Sequence, residues 1–149
     1  MTEHGTTHLD FPLTIEDDWP PVALECLIVR PTALGFEVLE APLFLPDISV
    51  GDVRSVTFDT EGRVADFHHA SRAKNTTVWL LHLDREEATL APVLSELRSL
   101  GCDTVTLESQ GCYAVSVPEA TSLESIDSIL ARLDQDAVAV AFPSMRHEE

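Results

Sequence analysis

Apolar residues recur at three- and four-residue steps in two stretches of the chain and at strand-like steps in most of the rest. Leu90, Val93, Leu94, Leu97 and Leu100 fall on one face of a helix, which predicts a helix over residues 85–100 ended by Gly101, where positive φ is tolerated. Asp84 stands at the N-cap position with Glu87 three residues on, a capping box of the acidic type. Pro92 is discordant: it confines the regular helix to its C-terminal part or kinks it near residues 87–89. Leu123, Ile126, Ile129, Leu130 and Leu133 define a second apolar face, capped by Thr121 or Ser122.

The remaining stretches read as strands. Pro20 and Pro21 forbid helix and lead into residues 22–30, dense in β-branched and apolar side chains. Residues 36–41 alternate imperfectly but still favour a half-buried strand. Pro42 and Pro46 bracket Leu43, Phe44 and Leu45, an apolar connection that something must cover. Residues 53–59 place Val53, Ser55 and Thr57 on one face and Val56 and Phe58 on the other, and Thr60, Glu61 and Gly62 turn the chain into a strand over 63–70. Four such short strands predict a small barrel or curled sheet, because an open sheet of that length leaves its edges unpaired. Further strands are expected over residues 76–83, 103–108, 112–117 and 137–142, with Ser109, Gln110 and Gly111 as a hairpin loop. The last is apolar on both faces, the pattern of a central or covered strand.

The expected fold class is therefore α+β: a small N-terminal β-barrel-like module followed by a ferredoxin-like βαββαβ module. Residues 1–18 read as an acidic flexible tail with one apolar knot over 9–15. The β module is expected over 19–74, the ferredoxin-like module over 75–143, and a short polar tail over 144–149. Such a fold hosts many functions, so the site has to decide.

Charge narrows the partners. The chain has 26 Asp plus Glu against 9 Lys plus Arg, a net charge of −17. That field repels phosphate, which argues against nucleic acid and anionic membranes and suits a cationic protein surface. A salt-rich cytoplasm or a GC-rich genome produces the same composition with no partner at all. The acidity is uneven: residues 22–75 carry 8 acids and 5 bases, and residues 76–149 carry 13 acids and 4 bases. Cys26, Cys102 and Cys112 lack a CxxC spacing and sit in apolar or strand-like stretches, as small buried hydrophobes do in a reducing compartment. No run of about 18 apolar residues occurs, and residues 1–18 contain no Lys or Arg, so neither a membrane span nor a signal peptide is expected. A cytoplasmic protein is the simplest expectation.

No motif commits the chain to a chemistry. His68 and His69 follow Asp66, but neighbours on a strand point to opposite faces and cannot share one metal ion. His82 is a lone histidine on an apolar strand, and Cys112 beside Tyr113 has no activating cation nearby in sequence. GxSxG, Walker and GxGxxG patterns are missing, as is the aromatic and basic platform of an RNA-binding module. No metal, cofactor or catalytic residue is therefore expected. Gly51 allows a tight turn whose backbone Asp52 can hold closed. The functional alternative is that Trp19, Glu25, Asp52 and Asn75 converge on a groove between the modules.

Trp19-Pro20-Pro21-Val22, Glu25-Cys26-Leu27, the apolar run from Ala41 to Leu45 and Gly51-Asp52-Val53 together resemble the bacterial domain-of-unknown-function family 4265. The likeness extends through Leu100-Gly101-Cys102 and Val115-Ser116-Val117-Pro118, roughly residues 19–142. It implies the two-module architecture and no particular activity. The chain departs from that pattern ahead of Trp79, reading Lys74-Asn75-Thr76 in place of a Gly-His-Ser/Thr-like segment. Three functions follow. A non-catalytic binding protein of the immunity or antitoxin type, recognising a cationic protein, leads. A small-molecule sensor, often a homodimer, comes next, and an enzyme with a cryptic site last.

Overall fold

The computed structural model describes residues 5–83, 90–107, 111–134 and 136–147. Among them run β1 (Thr7–Pro12), β2 (Leu24–Pro31), β3 (Phe36–Val38), β4 (Val53–Phe58), β5 (Val64–Ser71), β6 (Thr76–His82), α1 (Leu90–Ser99), β7 (Asp103–Leu107), β8 (Cys112–Val117), α2 (Leu123–Leu130) and β9 (Val138–Ser144). The strands form two antiparallel sheets, ordered β1-β2-β3-β4-β5 and β7-β8-β6-β9.

This corrects the expected fold class. Instead of an α+β chain with a barrel-like module and a ferredoxin-like module, the protein is mostly β: two antiparallel sheets carry it, and among the described residues the helices span ten and eight residues. The first sheet is not a closed barrel, since β1 and β5 stay edge strands; Phe11 and Phe67 nevertheless meet edge to face across the curl at 5.0 Å. It also has a fifth strand within residues assigned to a flexible tail. Leu9 and Phe11 alternate with His8 and Asp10 along β1, and Phe11 is fully buried. Strand β9 is an edge strand rather than a central one, and its Ala139, Val140 and Ala141 are exposed.

Two cores result. Phe11, Leu27, Val29, Val38, Leu45, Ile48 and Val64 form the core of the first sheet. In the second, Val78, Leu80, Val115 and Val117 pack with the helical face of Leu90, Val93, Leu94, Leu97, Ile126, Ile129 and Leu130, as the periodicity requires. Gly101, at φ +99°, carries the chain out of α1 while Cys102 N–H reaches back to the Leu97 carbonyl. Ser122 occupies the N-cap of α2 without a side-chain capping bond, and Thr121 Oγ1 donates instead to the Leu100 carbonyl. The capping box at Asp84 and Glu87, the helix over 85–89 and most of the Ser109 loop lie outside the described residues. No helix among the described residues is long and apolar enough to cross a membrane.

The apolar connection after β3 joins the two sheets. Leu45 and Ile48 enter the first core, while the Pro42 carbonyl accepts the indole N–H of Trp79 on the second sheet at 2.7 Å.

Candidate functional site

The turn between that connection and β4 gathers most of the buried polar groups. Gly51 adopts φ +93° and donates its N–H to the Val38 carbonyl, and a side chain there would press its Cβ against Ala73 at 3.0 Å. The tight turn directs Asp52, which is fully buried, into the junction of the two sheets. Its carboxylate accepts from Ser49 N–H at 3.0 Å and Ala73 N–H at 2.7 Å, from His69 Nε2–H at 3.0 Å, and from both arms of Arg146, Nη1 at 2.8 Å and Nη2 at 2.9 Å. Burial by itself pushes the Asp52 carboxyl up; the Arg146 guanidinium and the two amides outweigh it and hold the group below its ordinary value. Burial also lowers His69, against the opposing pull of Asp52, so the neutral Nε2–H form is favoured.

A second layer closes around this pair. Arg72 bridges to Asp47 at 3.0 Å and, as the largest cause, holds that carboxyl low. Arg146 also donates to the Ala73 and Asp47 carbonyls. The hydroxyls of Ser49, Thr77 and Ser144 form a buried chain of 3.1 and 2.7 Å links from turn to second sheet. Asn75 spans the same gap, donating to the Val50 carbonyl at 2.8 Å and accepting from Glu119 N–H at 3.0 Å. Arg54 is buried beside them with its guanidinium 5.0 Å above the Phe67 ring, and its Nε and Nη1 have no hydrogen-bond partner among the described residues.

Glu25 is the other buried carboxylate. It brackets the apolar connection by accepting from the amides of Leu43, Phe44 at 2.9 Å and Leu45 at 3.0 Å. Burial nevertheless leaves its carboxyl raised above the usual 4.5. Trp19, half exposed, packs edge-on against Phe44 with ring centroids 5.8 Å apart.

The four residues singled out from the sequence thus stand in two pairs. Trp19 and Glu25 meet residues 43–45, and Asp52 and Asn75 flank Gly51. Trp19 borders a cavity of about 180 Å³ with Trp79, whereas Glu25 borders a separate one of about 210 Å³ with Val105 and Leu107. His69, Arg146 and the Ser49–Thr77–Ser144 chain were not legible as a site. His69 turns inward to Asp52 while His68 is exposed, as strand alternation dictates. Cys26 is exposed rather than buried, and Cys102 is buried with its thiol pushed up to about 11, chiefly by that burial.

Chemically, the arrangement fastens. Asp52 accepts five hydrogen bonds from its own chain, so the lone pairs a general base would use are occupied, and Glu25 accepts three from backbone amides. The Ser49 hydroxyl is bonded to Thr77 and Ser144 rather than to His69. Fold and junction together define a two-sheet, mostly-β protein whose buried ionic groups lock one sheet to the other.

The chain belongs to the family described as a domain of unknown function (DUF4265), whose model matches residues 25–141. Glu25, Asp52 and Asn75 fall inside the matched region; Trp19 and Arg146 fall outside it. The crystal structure of a hypothetical protein from Neisseria gonorrhoeae is similar, with a TM-score of 0.73 and 15% identity over 99% of each chain, a likeness of fold. The comparison with curated proteins yields no significant match.

Proposed function

We propose that the protein is a non-catalytic binding protein that engages a cationic protein through the acidic surface of its second half, in the manner of an immunity or antitoxin protein. One observation carries this reading. In residues 90–147, Glu96, Asp103, Glu119, Glu124, Asp127, Asp134 and Asp136 are all exposed, and among the described residues only Glu96 has an ion-pair partner, Arg132. In the first half three of the cations are drawn into pairs, Arg30 with Glu37, Arg63 with Asp59 and Glu61, and Arg72 with Asp47, while Asp10, Glu16, Asp17, Asp18 and Asp66 are exposed there without an ion-pair partner among the described residues. The acids of the second half other than Glu96 therefore face solvent without an ion-pair partner among the described residues, a condition under which complementary charge speeds association and selects a partner. Glu119, Glu124 and Asp127 share the wall of one cavity of about 490 Å³ at the start of α2. The saturated state of Asp52 supports a binding role over a catalytic one.

Affinity capture from the protein's own cell lysate tests this, comparing the wild type with the charge-reversed variant E119K/E124K/D127K at low and high salt. The expected result is one stoichiometric cationic protein held by the wild type, released as salt rises and not held by the variant. Retention of nothing, or of the same protein by both, contradicts the proposal.

A further inference from the structure

The face of the second sheet that turns away from its helices holds a hollow that the acidic surface does not involve. Val78 and Leu80 of β6 point into the helical core, so Trp79 and Leu81 point the other way. The register sets Trp79 between Ala114 and Ala141, and Leu81 beside Ala139. Small residues flanking a large one leave space, and a cavity of about 180 Å³ results, open beside the half-exposed Trp19. Its outer wall, Leu43, is fixed on both sides: the Pro42 carbonyl accepts the Trp79 indole N–H, and the Leu43 N–H is held by Glu25. The Phe44 ring steadies Trp19. The hollow is thus preorganised by contacts that do not depend on an occupant.

Its chemistry is equally definite. Among the described residues, no Asp, Glu, Lys, Arg or His lines it, and the Trp79 indole N–H is already bonded. An ionised ligand would lose its hydration without a counter-charge, which is costly, and an anion would also face the net charge of −17. The volume matches one ring: an apolar protein cavity of about 150 Å³ takes up benzene, and the two indoles offer π faces and edges to an aromatic guest. We propose that this hollow is a binding site for an uncharged, single-ring aromatic molecule.

The test uses the full-length protein labelled with nitrogen-15 and titrated with toluene, with benzoate as the charged control. Trp19 and Trp79 are the two tryptophans of the chain and both border the hollow, so their indole signals report directly. The expected result is saturable shifts of both indole N–H signals and of the Ala139 and Ala141 amides with toluene, and none with benzoate. Ala141→Leu adds bulk at an exposed edge-strand position, so it fills the hollow without touching a core, and is expected to raise the dissociation constant at least tenfold. Trp19→Ala, also at an exposed position, is a second variant expected to weaken binding. Absence of saturation up to the solubility of toluene, shifts centred on Leu97 and the helical core, equal binding of benzoate, or unchanged affinity in both variants would overturn the proposal. None of these outcomes depends on whether a protein partner is captured by the acidic face.

Discussion

The guanidinium of Arg146 holds both oxygens of Asp52, at 2.8 and 2.9 Å, across 94 residues of chain. The two come from a turn that feeds the first sheet and from the segment that follows the last strand of the second. Asp52 is fully buried, so the pair also decides what happens when either partner is removed. Arg146→Met strands a buried carboxylate and is expected to cost about 3–5 kcal/mol in urea denaturation. Arg146→Lys keeps the charge but not the two-armed geometry, and falls between. Arg132→Met, which removes an exposed pair with Glu96, is expected to leave the denaturation midpoint near that of the wild type.

Stability should fall on acidification, in two stages. His69 is held below its ordinary 6.5 in the folded protein, so the unfolded chain takes up a proton first and stability declines as pH drops below that value. Asp52 is held below its ordinary 3.8, so its contribution is present above that value and is lost as pH falls through the lower folded one. Glu25 has the opposite sign: its folded carboxyl is raised above 4.5, and its contribution decreases as pH rises from there through the folded value. The His69 contribution should therefore lower the denaturation midpoint of the wild type between about pH 7 and pH 5, with Glu25 working against it near its own folded value. In His69→Gln, which keeps an N–H donor for Asp52 but cannot titrate, that early decline should largely vanish.

Glu25→Gln removes a negative charge and half of an acceptor set. The new amide can accept through one oxygen, while its NH₂ is set against a backbone N–H of residues 43–45. A loss of about 1–3 kcal/mol is expected, the cost of an unsatisfied buried donor. Hydrogen exchange at Phe44 and Leu45 should accelerate more than exchange within β6 and β8.

Leu97 is fully buried among the side chains beneath the second sheet, whereas Leu100, one turn on, is 38% exposed. Leu97→Ala should cost about 2–5 kcal/mol, and Leu100→Ala about 0.5 kcal/mol or less. Similar losses from both would mean that α1 packs through a different face.

Local pattern made the helices and most strands legible. The three- and four-residue steps of Leu90 to Leu97 and of Ile126 to Leu133 mark buried faces, because a helix can bury only one stripe. Strand β1 carried a usable signal in the alternation of His8, Leu9, Asp10 and Phe11, but its polar outer face passed for a solvated tail. Strand β9 misled in the opposite sense: alanines that border the hollow at a sheet edge read like those of a central strand. Glu25, Asp52 and Asn75 stood out among their neighbours, yet no spacing rule could bring Arg146 or His69 to Asp52, since contacts across sheets follow from tertiary folding alone. Arg54, a charged residue in a strand, gave no sign that it would be buried over an aromatic ring.

A double-mutant cycle on Asp52 and Arg146 tests most directly the claim that this pair locks the two sheets together. Asp52→Asn, Arg146→Met and the double variant would be compared with the wild type by urea denaturation. The expected result is strong coupling, with the double variant losing clearly less than the sum of the single losses, by roughly 1.5 kcal/mol or more. Additive losses, or single variants as stable as the wild type, would contradict the claim.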